Sequence, residues 1–587
     1  MFDTARSPAK PTIGARRMLG NEPAAVGYAI GALLLTLGIV VLQMNLRAGR
    51  YDPENLRIFY RLFAFEDYAA SFLFMACLLL GAVPQVQNAA AALAKAIGAH
   101  PLAVSIGAGA AFAAGALGVY HAFPLAMDEA APYMQSKAFA AGELVGRYPQ
   151  QLLDWLVVPG FQNYFIYVSR ETGEVASAYW PGFALLLTPF MALGVPWLCN
   201  PVLGAASVWV IHRLTLALTQ SVAAAGAAML FTLASAAFVV NAMSFYAMTA
   251  HLLCNAIFAL LLLKPSPGRC FAAGLTGGLA LTLHNPVPHM LFAAVWLVWL
   301  ANNKNRWKLL ASIAAGYLPW IIVVGFGWYH LLQGLANSAA VAGESQPLIA
   351  KALALLARVF KWPHTTELMS RLVGAAKTWL WSAPLVLLLA GAGFWRQRGN
   401  THFRLLLAST VTTFVAYLFV PLDQGHGWGY RYFHSVWFVL PIFAAAALAA
   451  PRDAATDGAA PRSSPLSQWT QGAALAGGLV LVPYFAWQVH AFIGTHLAQI
   501  PRADHGRARV VMIDPKGGYY NQDLVQNDPD LRQPVLRMIS HGNEADAQMM
   551  TQYFPDLILL ARNRRGSVWG NAEIDGRSKG AENTGGH

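Results

Sequence analysis

Apolar stretches of about 20 residues recur along nearly the whole chain, separated by short polar or basic turns. A helix of that length, rising about 1.5 Å per residue, matches the roughly 30 Å hydrocarbon core of a bilayer. In lipid the backbone must satisfy its own hydrogen bonds, which makes helices the expected form of such runs. The predicted spans are 24–46, 67–84, 102–122, 201–219, 222–241, 248–264, 270–284, 286–301, 308–328, 377–395, 404–421, 435–450 and 470–493. The expectation is an all-α polytopic membrane protein with about 13 transmembrane helices. Charged residues make up only 12% of the chain, against about 25% in soluble domains, so a single soluble core is excluded. The pair 270–301 reads as a hairpin of short spans broken at "HNPVP" (284–288), with one long tilted helix as the other reading.

The formal charge of +12 does not mark a nucleic-acid binder, because the basic residues punctuate the gaps between apolar runs rather than cluster. Arg6, Lys10, Arg16 and Arg17 precede the first run; Lys264 and Arg269, "NNKNRWK" (302–308) and "RQRGNTHFR" (396–404) mark later turns. Basic loops stay cytoplasmic, which puts the N-terminus inside and the C-terminus in the periplasm. Arg47, Arg50, Arg57 and Arg61 run against this rule, accompanied by Asp52, Glu54, Glu66 and Asp67. Cys77, Cys199, Cys254 and Cys270 lie in or beside apolar runs without CxxC spacing, so neither a disulfide framework nor a zinc site is indicated. The first run is long enough to stay as an anchor rather than be cleaved.

Three regions follow. Residues 1–101 hold a cytoplasmic tail and two additional spans. Residues 102–493 form a transmembrane region with two outer segments, 123–200 and 329–376. Residues 494–587 form a small α/β periplasmic appendage with strands at 507–514 and 557–562, a helix at 544–556 and a disordered end. In the first outer segment, 179–201 is apolar but interrupted by Pro181, Pro189 and Pro196; it reads as a juxtamembrane or re-entrant helix. In the second, 347–362 reads either as an interfacial helix or as a loop helix packed on its neighbours. The stretch 451–468 has the composition of a flexible cytoplasmic linker.

Polar chemistry concentrates on the outer side. Asp128 and Glu129 open a helical pattern, "DEAAPYMQSKAFAAGEL" (128–144), directly after an apolar run. Acidic residues favour the positive end of a helix. A carboxylate at a membrane–water boundary is equally placed to take a proton from an acceptor hydroxyl or amine. Residues alone leave both readings open.

"MDEAAPYMQSKAFAAGEL" (127–144) resembles the acidic motif in the first outer loop of GT-C membrane glycosyltransferases, particularly glycosyltransferase family 39 and the lipid A aminoarabinose transferases. "YWPGFALLLTPFMALGVPWLCNPVLGA" (179–205) is similar to the segment closing that loop, and "GYRYFHSVWFVLP" (429–441) to an arginine–tyrosine motif opening a late span. The resemblance covers about 102–450 and implies transfer of a sugar from a polyprenyl-phosphate donor to an envelope acceptor at the outer face of the bacterial inner membrane. It implies Asp128 as general base and Glu129 as its assistant. Arg431 would neutralise the departing phosphate, with Lys137, His284 and Tyr432 as further phosphate contacts. Some members use a divalent metal ion, for which Glu129 and His426 are the candidates. Two departures stand out: two spans precede the one leading into the acidic motif, and His284–Asn285 stand where an arginine is common. The rival readings are a polysaccharide polymerase or ligase centred on 329–376, and a lipid or solute transporter.

Overall fold

The computed structural model describes residues 22–48, 57–337, 361–420, 424–449, 464–502 and 506–572. Most of the amino-terminal tail, of 347–362 and of the 451–468 linker, and the end of the chain lie outside these residues. Among the described residues, six helices are long and apolar enough to cross a membrane: Ala25–Arg47, Ile58–Leu80, Pro101–Gly118, Pro196–Thr219, Arg306–Leu335 and Pro465–Leu497. A seventh is made if the pair Thr365–Trp381 and Val386–Gln397, bent by 92°, counts as one broken span. Four further apolar helices, Gly182–Ala192, Val222–Leu233, Met248–Leu262 and Val287–Ala301, are shorter.

The count of about thirteen is not confirmed among the described residues, where breaks in the chain shorten several of the apolar runs. The run 222–241 divides at Ser235 into Val222–Leu233 and Ala236–Asn241. The run 377–395 is cut at Ser382–Leu385, where Pro384 removes a donor and Leu385 adopts φ 65°. The run 435–450 yields only Val439–Ala446 as regular helix. The second span starts earlier than expected, at Ile58, through a π-turn at Leu62–Glu66. The 270–301 region is two helices, Pro267–Thr282 and Val287–Ala301, so the single tilted helix is excluded. Segment 179–201 holds the short helix Gly182–Ala192 and a 3₁₀ turn at Pro196–Leu198.

The chain forms two compact units. Of the described residues, the first comprises 22–124, 179–331 and 361–491, and the second 125–178, 332–337 and 492–572. In the first unit helices approach closely at small residues. A Cβ added to Gly274 would lie 2.1 Å from the Ile313 carbonyl oxygen, and one added to Gly316 would lie 2.2 Å from that of Phe271. Helices in lipid rely on such backbone contact for their packing.

The second unit is not all-α. Its first part pairs β1 (Gly146–Arg147), β3 (Glu174–Ser177) and β2 (Ile166–Val168) in an antiparallel sheet of order β1-β3-β2. Its C-terminal part forms a second sheet of order β5-β4-β7-β6, from β4 (Ala508–Ile513), β5 (Leu536–Ile539), β6 (Leu557–Asn563) and β7 (Gly566–Asn571). β4 and β5 are parallel, and the helix Asn543–Tyr553 follows β5. The two expected strands and the helix are present; β5 and β7 are additions. The C-terminal part is no separate appendage, since residues 527–529 bind the 146–156 stretch. The Arg147 N–H donates to the Pro529 carbonyl at 2.7 Å, Tyr148 Oη to that of Asn527 at 3.3 Å, and Asn527 Nδ2 to that of Leu156 at 3.2 Å.

Candidate active site

The acidic motif folds as the helix Met127–Ala140 of the second unit. Its preceding residue, Ala126, has no side-chain acceptor, and Pro132 has no N–H to give the Asp128 carbonyl one turn back. The Glu129 carboxylate secures this first turn. Glu129 is fully buried, and its Oε2 accepts the N–H groups of Leu125 (2.8 Å) and Ala126 (3.4 Å). Asp523, from the C-terminal part of the same unit, is 6% exposed. Asp128, beside Glu129 in the chain, is half-buried.

Burial pushes the Asp523 carboxyl well above the usual carboxylate range. The charges of Asp128 and Glu129 act in the same direction, and the Met127 N–H opposes them. Asp128 also raises the Tyr164 phenol, after a larger contribution from burial. Tyr164 is 62% exposed on a turn where Asn163 adopts φ 61°. Lys137, two turns along the helix, pairs with Asp528 and lies 5.1 Å from the Tyr133 ring centroid. The lysine expected at a donor phosphate therefore has a carboxylate partner inside its own unit.

Arg431, Tyr432 and His426 belong to the first unit. Gly425, Gly427 and Gly429 all have positive φ in "QGHGWGYRYF" (424–433), so the chain turns sharply three times before the helix Arg431–His434. Gln424 holds this loop: its Oε1 accepts the Arg431 N–H at 2.7 Å and its Nε2 donates to the Gly429 carbonyl at 3.1 Å. Arg431 is 6% exposed, with Nη2 donating to the Gln424 carbonyl and Cζ 4.5 Å from the Tyr246 ring centroid. At Gly427, with φ +123°, a Cβ would come 2.4 Å from Arg431 Cδ. Tyr432 stacks on Tyr417 at 4.8 Å and 8°. His426 is buried beside Arg431 in the sequence of this loop.

His284 sits in the break between Pro267–Thr282 and Val287–Ala301, stacked on Tyr179 at 3.9 Å. Its carbonyl accepts the Trp180 N–H at 3.3 Å, which fastens 179–180 to the break. The candidates thus divide: Asp128, Glu129 and Lys137 share one helix of the second unit, and Arg431, Tyr432, His426 and His284 belong to the first.

Several residues here carried no sequence signal. Arg371 is buried, donates from Nε to the Tyr417 carbonyl (2.8 Å) and from Nη2 to that of Val420 (2.5 Å), and lies 5.2 Å from the Tyr432 ring. His289 bridges Asn255 Oδ1 at 2.8 Å and Tyr317 Oη at 2.6 Å in the bundle interior. Asp523 and Asp528 come from a C-terminal loop with no recognisable motif. Among the described residues no group of three or more His, Cys, Asp or Glu side chains is arranged to hold a metal ion. One Glu129 oxygen is already turned onto backbone N–H groups.

No family model and no curated protein sequence matches the chain. Among solved structures it is similar to ArnT from Cupriavidus metallidurans bound to undecaprenyl phosphate, with 13% identity, 79% of this chain and 98% of that chain covered, and a TM-score of 0.48. It is similar also to ArnT from the same organism in the apo state, with 13% identity, 79% and 97% covered, and a TM-score of 0.44. Function is therefore argued from the chain's own residues.

Proposed function

We propose that the protein is a GT-C membrane glycosyltransferase of the bacterial inner membrane. It would transfer a sugar from a polyprenyl-phosphate carrier to an envelope acceptor on the periplasmic face. The observation that carries this reading is the division of labour at the acidic motif. Glu129 is fully buried with one oxygen on the Leu125 and Ala126 N–H groups, and Asp128 beside it is half-buried at the start of the same helix. That arrangement suits a general base better than a plain helix cap.

In this mechanism Asp128 takes the proton from the acceptor O–H or N–H. The acceptor heteroatom attacks the anomeric carbon of the donor sugar and inverts it. The bond from that carbon to the phosphate oxygen breaks, and polyprenyl phosphate leaves with the electron pair. Arg431 neutralises the departing phosphate, since a guanidinium can offer two parallel N–H groups to phosphate oxygens. Gln424 and Gly427 fix Arg431 for that task. Glu129 acts as a positioning residue, and Lys137 braces the acidic helix through Asp528. No step is assigned to a metal ion.

Mass spectrometry of envelope lipids and glycans from cells with and without the protein tests the reading and identifies sugar and acceptor. Loss of one glycosyl modification together with accumulation of a lipid-linked sugar is expected. Identical envelopes and identical carrier pools would sink the proposal.

A further inference from the structure

We infer that Gln135 is a positioning residue of the active site: its carboxamide stands in for one rung of the β1–β3 ladder and so fixes the helix that carries Asp128. The inference rests on the proposed role of Asp128 and adds a residue on the far side of Pro132.

Backbone pairing between β1 and β3 stops short. Gly146 opposes Val175 and Arg147 opposes Glu174, and just beyond them the Tyr148 N–H donates to the Gly173 carbonyl at 2.8 Å. In an antiparallel pair every second residue bonds across the strands, so in this register Leu144 and Ser177 are next in line. The Arg147 N–H agrees with that alternation, since it turns away to the Pro529 carbonyl. The rung from Ser177 to Leu144 is made through a side chain instead. Gln135 Oε1 accepts the Ser177 N–H at 3.0 Å, and Gln135 Nε2 donates to the Leu144 carbonyl at 2.8 Å. A carboxamide offers the same acceptor and donor as a peptide group, so it fits between two strands and answers both.

This insertion locks the acidic helix to the sheet. Gln135 is 1% exposed and Ser177 2% exposed, and at that depth a donor left unmet is costly. Gln135 and Asp128 are seven residues apart on the helix Met127–Ala140, nearly two full turns, and therefore share a face. Pro132 stands between them with no N–H for the Asp128 carbonyl. The helix thus needs a hold on each side of the proline. Glu129 supplies one through the Leu125 and Ala126 N–H groups, and Gln135 supplies the other through Ser177 and Leu144. Rotation or sliding of the helix on β3 would break both Gln135 bonds at once, so the carboxamide sets the direction in which Asp128 leaves the helix. Catalytic groups must be held within small tolerances of their working geometry, and such support comes from locked neighbours of this kind.

The test compares Gln135→Met with Gln135→Glu in the full-length protein in nanodiscs. Methionine matches glutamine in length and makes neither bond, whereas glutamate keeps an acceptor for the Ser177 N–H. The first readout is amide hydrogen exchange of residues 175–178, which needs no substrate. Gln135→Met should exchange about fivefold faster at Ser177, the scale of one lost hydrogen bond, and Gln135→Glu should stay closer to wild type. The second readout is sugar transfer per folded molecule, from metabolically radiolabelled polyprenyl-phosphate lipids extracted from the source membranes. Gln135→Met should lower kcat about tenfold with KM for the lipid nearly unchanged, and Gln135→Glu should recover part of the rate. A residue that only braced the sheet would change the yield or Tm and leave kcat per folded molecule intact. Unchanged exchange at Ser177 in Gln135→Met overturns the inference, as does an undiminished kcat. If Gln135→Met does not fold, Gln135→Glu decides alone: its lost Leu144 bond should lower kcat at least about threefold, and a wild-type kcat overturns the inference. A wild-type protein that transfers no sugar overturns the proposed function, and the exchange comparison then decides on its own whether Gln135 forms the rung.

Discussion

Lys377 and Asp67 form an ion pair inside the first unit, with Nζ 2.5 Å from Oδ2 and each side chain 1% exposed. The pair joins the helix Thr365–Trp381 to the span Ile58–Leu80, and Trp381 Nε1 adds a hydrogen bond to the other carboxylate oxygen at 3.1 Å. Buried charges are tolerated in such a setting because they are matched to one another.

Removing one partner leaves the other charge stranded. Lys377→Met should lower the stability of the purified protein by about 3–5 kcal/mol, read by thermal or chemical unfolding. The double variant Asp67→Asn with Lys377→Met should recover a large part of that loss. A single variant as stable as wild type would show that the pair does not hold these helices together.

The Lys137–Asp528 pair is more accessible, with side chains 31% and 23% exposed. Water screens such a pair, so its coupling in a double-mutant cycle of Lys137→Met and Asp528→Asn should be about 1 kcal/mol or less. A large loss of transfer with unchanged stability in Lys137→Met would instead return Lys137 to the donor phosphate.

Asp523 gives a pH dependence with a definite sign. Its folded-state carboxyl lies well above its ordinary value of 3.8, so the folded protein holds that proton more tightly than the unfolded chain. The resulting stabilisation is complete below pH 3.8 and declines as pH rises from there through the raised value. Asp523→Asn carries no such charge and should show a flatter fall of Tm over that window, with a Tm at neutral pH no lower than wild type. An unchanged slope would contradict the assignment.

Gly427→Ala tests Arg431 without touching it. The new methyl would meet Arg431 Cδ at 2.4 Å on a backbone with φ +123°. The variant should lose transfer by an amount comparable to Arg431→Ala, about 100-fold if the guanidinium stabilises the leaving phosphate. Arg431→Lys should recover little, because an ammonium lacks the planar fork. Full activity in both Gly427→Ala and Arg431→Ala would remove Arg431 from the mechanism.

The apolar runs announced a polytopic helical protein because hydrophobic length is a property of each segment alone. The acidic helix was legible because charge at a helix start acts on its immediate neighbours, whereas Arg431 was singled out only through the resemblance of its motif. Helix breaks were harder. The 92° bend in the 365–397 region depends on Leu385 adopting a positive φ, a conformation that a leucine does not advertise. The partners of the site were not legible at all. Asp528 lies far along the chain from the acidic helix, and only folding of the second unit sets it beside Lys137. Arg371 and the Asp67–Lys377 pair stand in no motif, and only tertiary packing buries them.

The most direct measurement is sugar transfer by Asp128→Asn in membranes, from radiolabelled polyprenyl-phosphate lipids, with insertion and Tm recorded on the same preparation. Asparagine keeps the size and hydrogen-bonding shape of the side chain but cannot take the acceptor proton. A normally inserted variant of near-wild-type Tm whose transfer falls by about 100-fold or more is the predicted result. Transfer at the wild-type rate by that variant would contradict the central claim that Asp128 is the base.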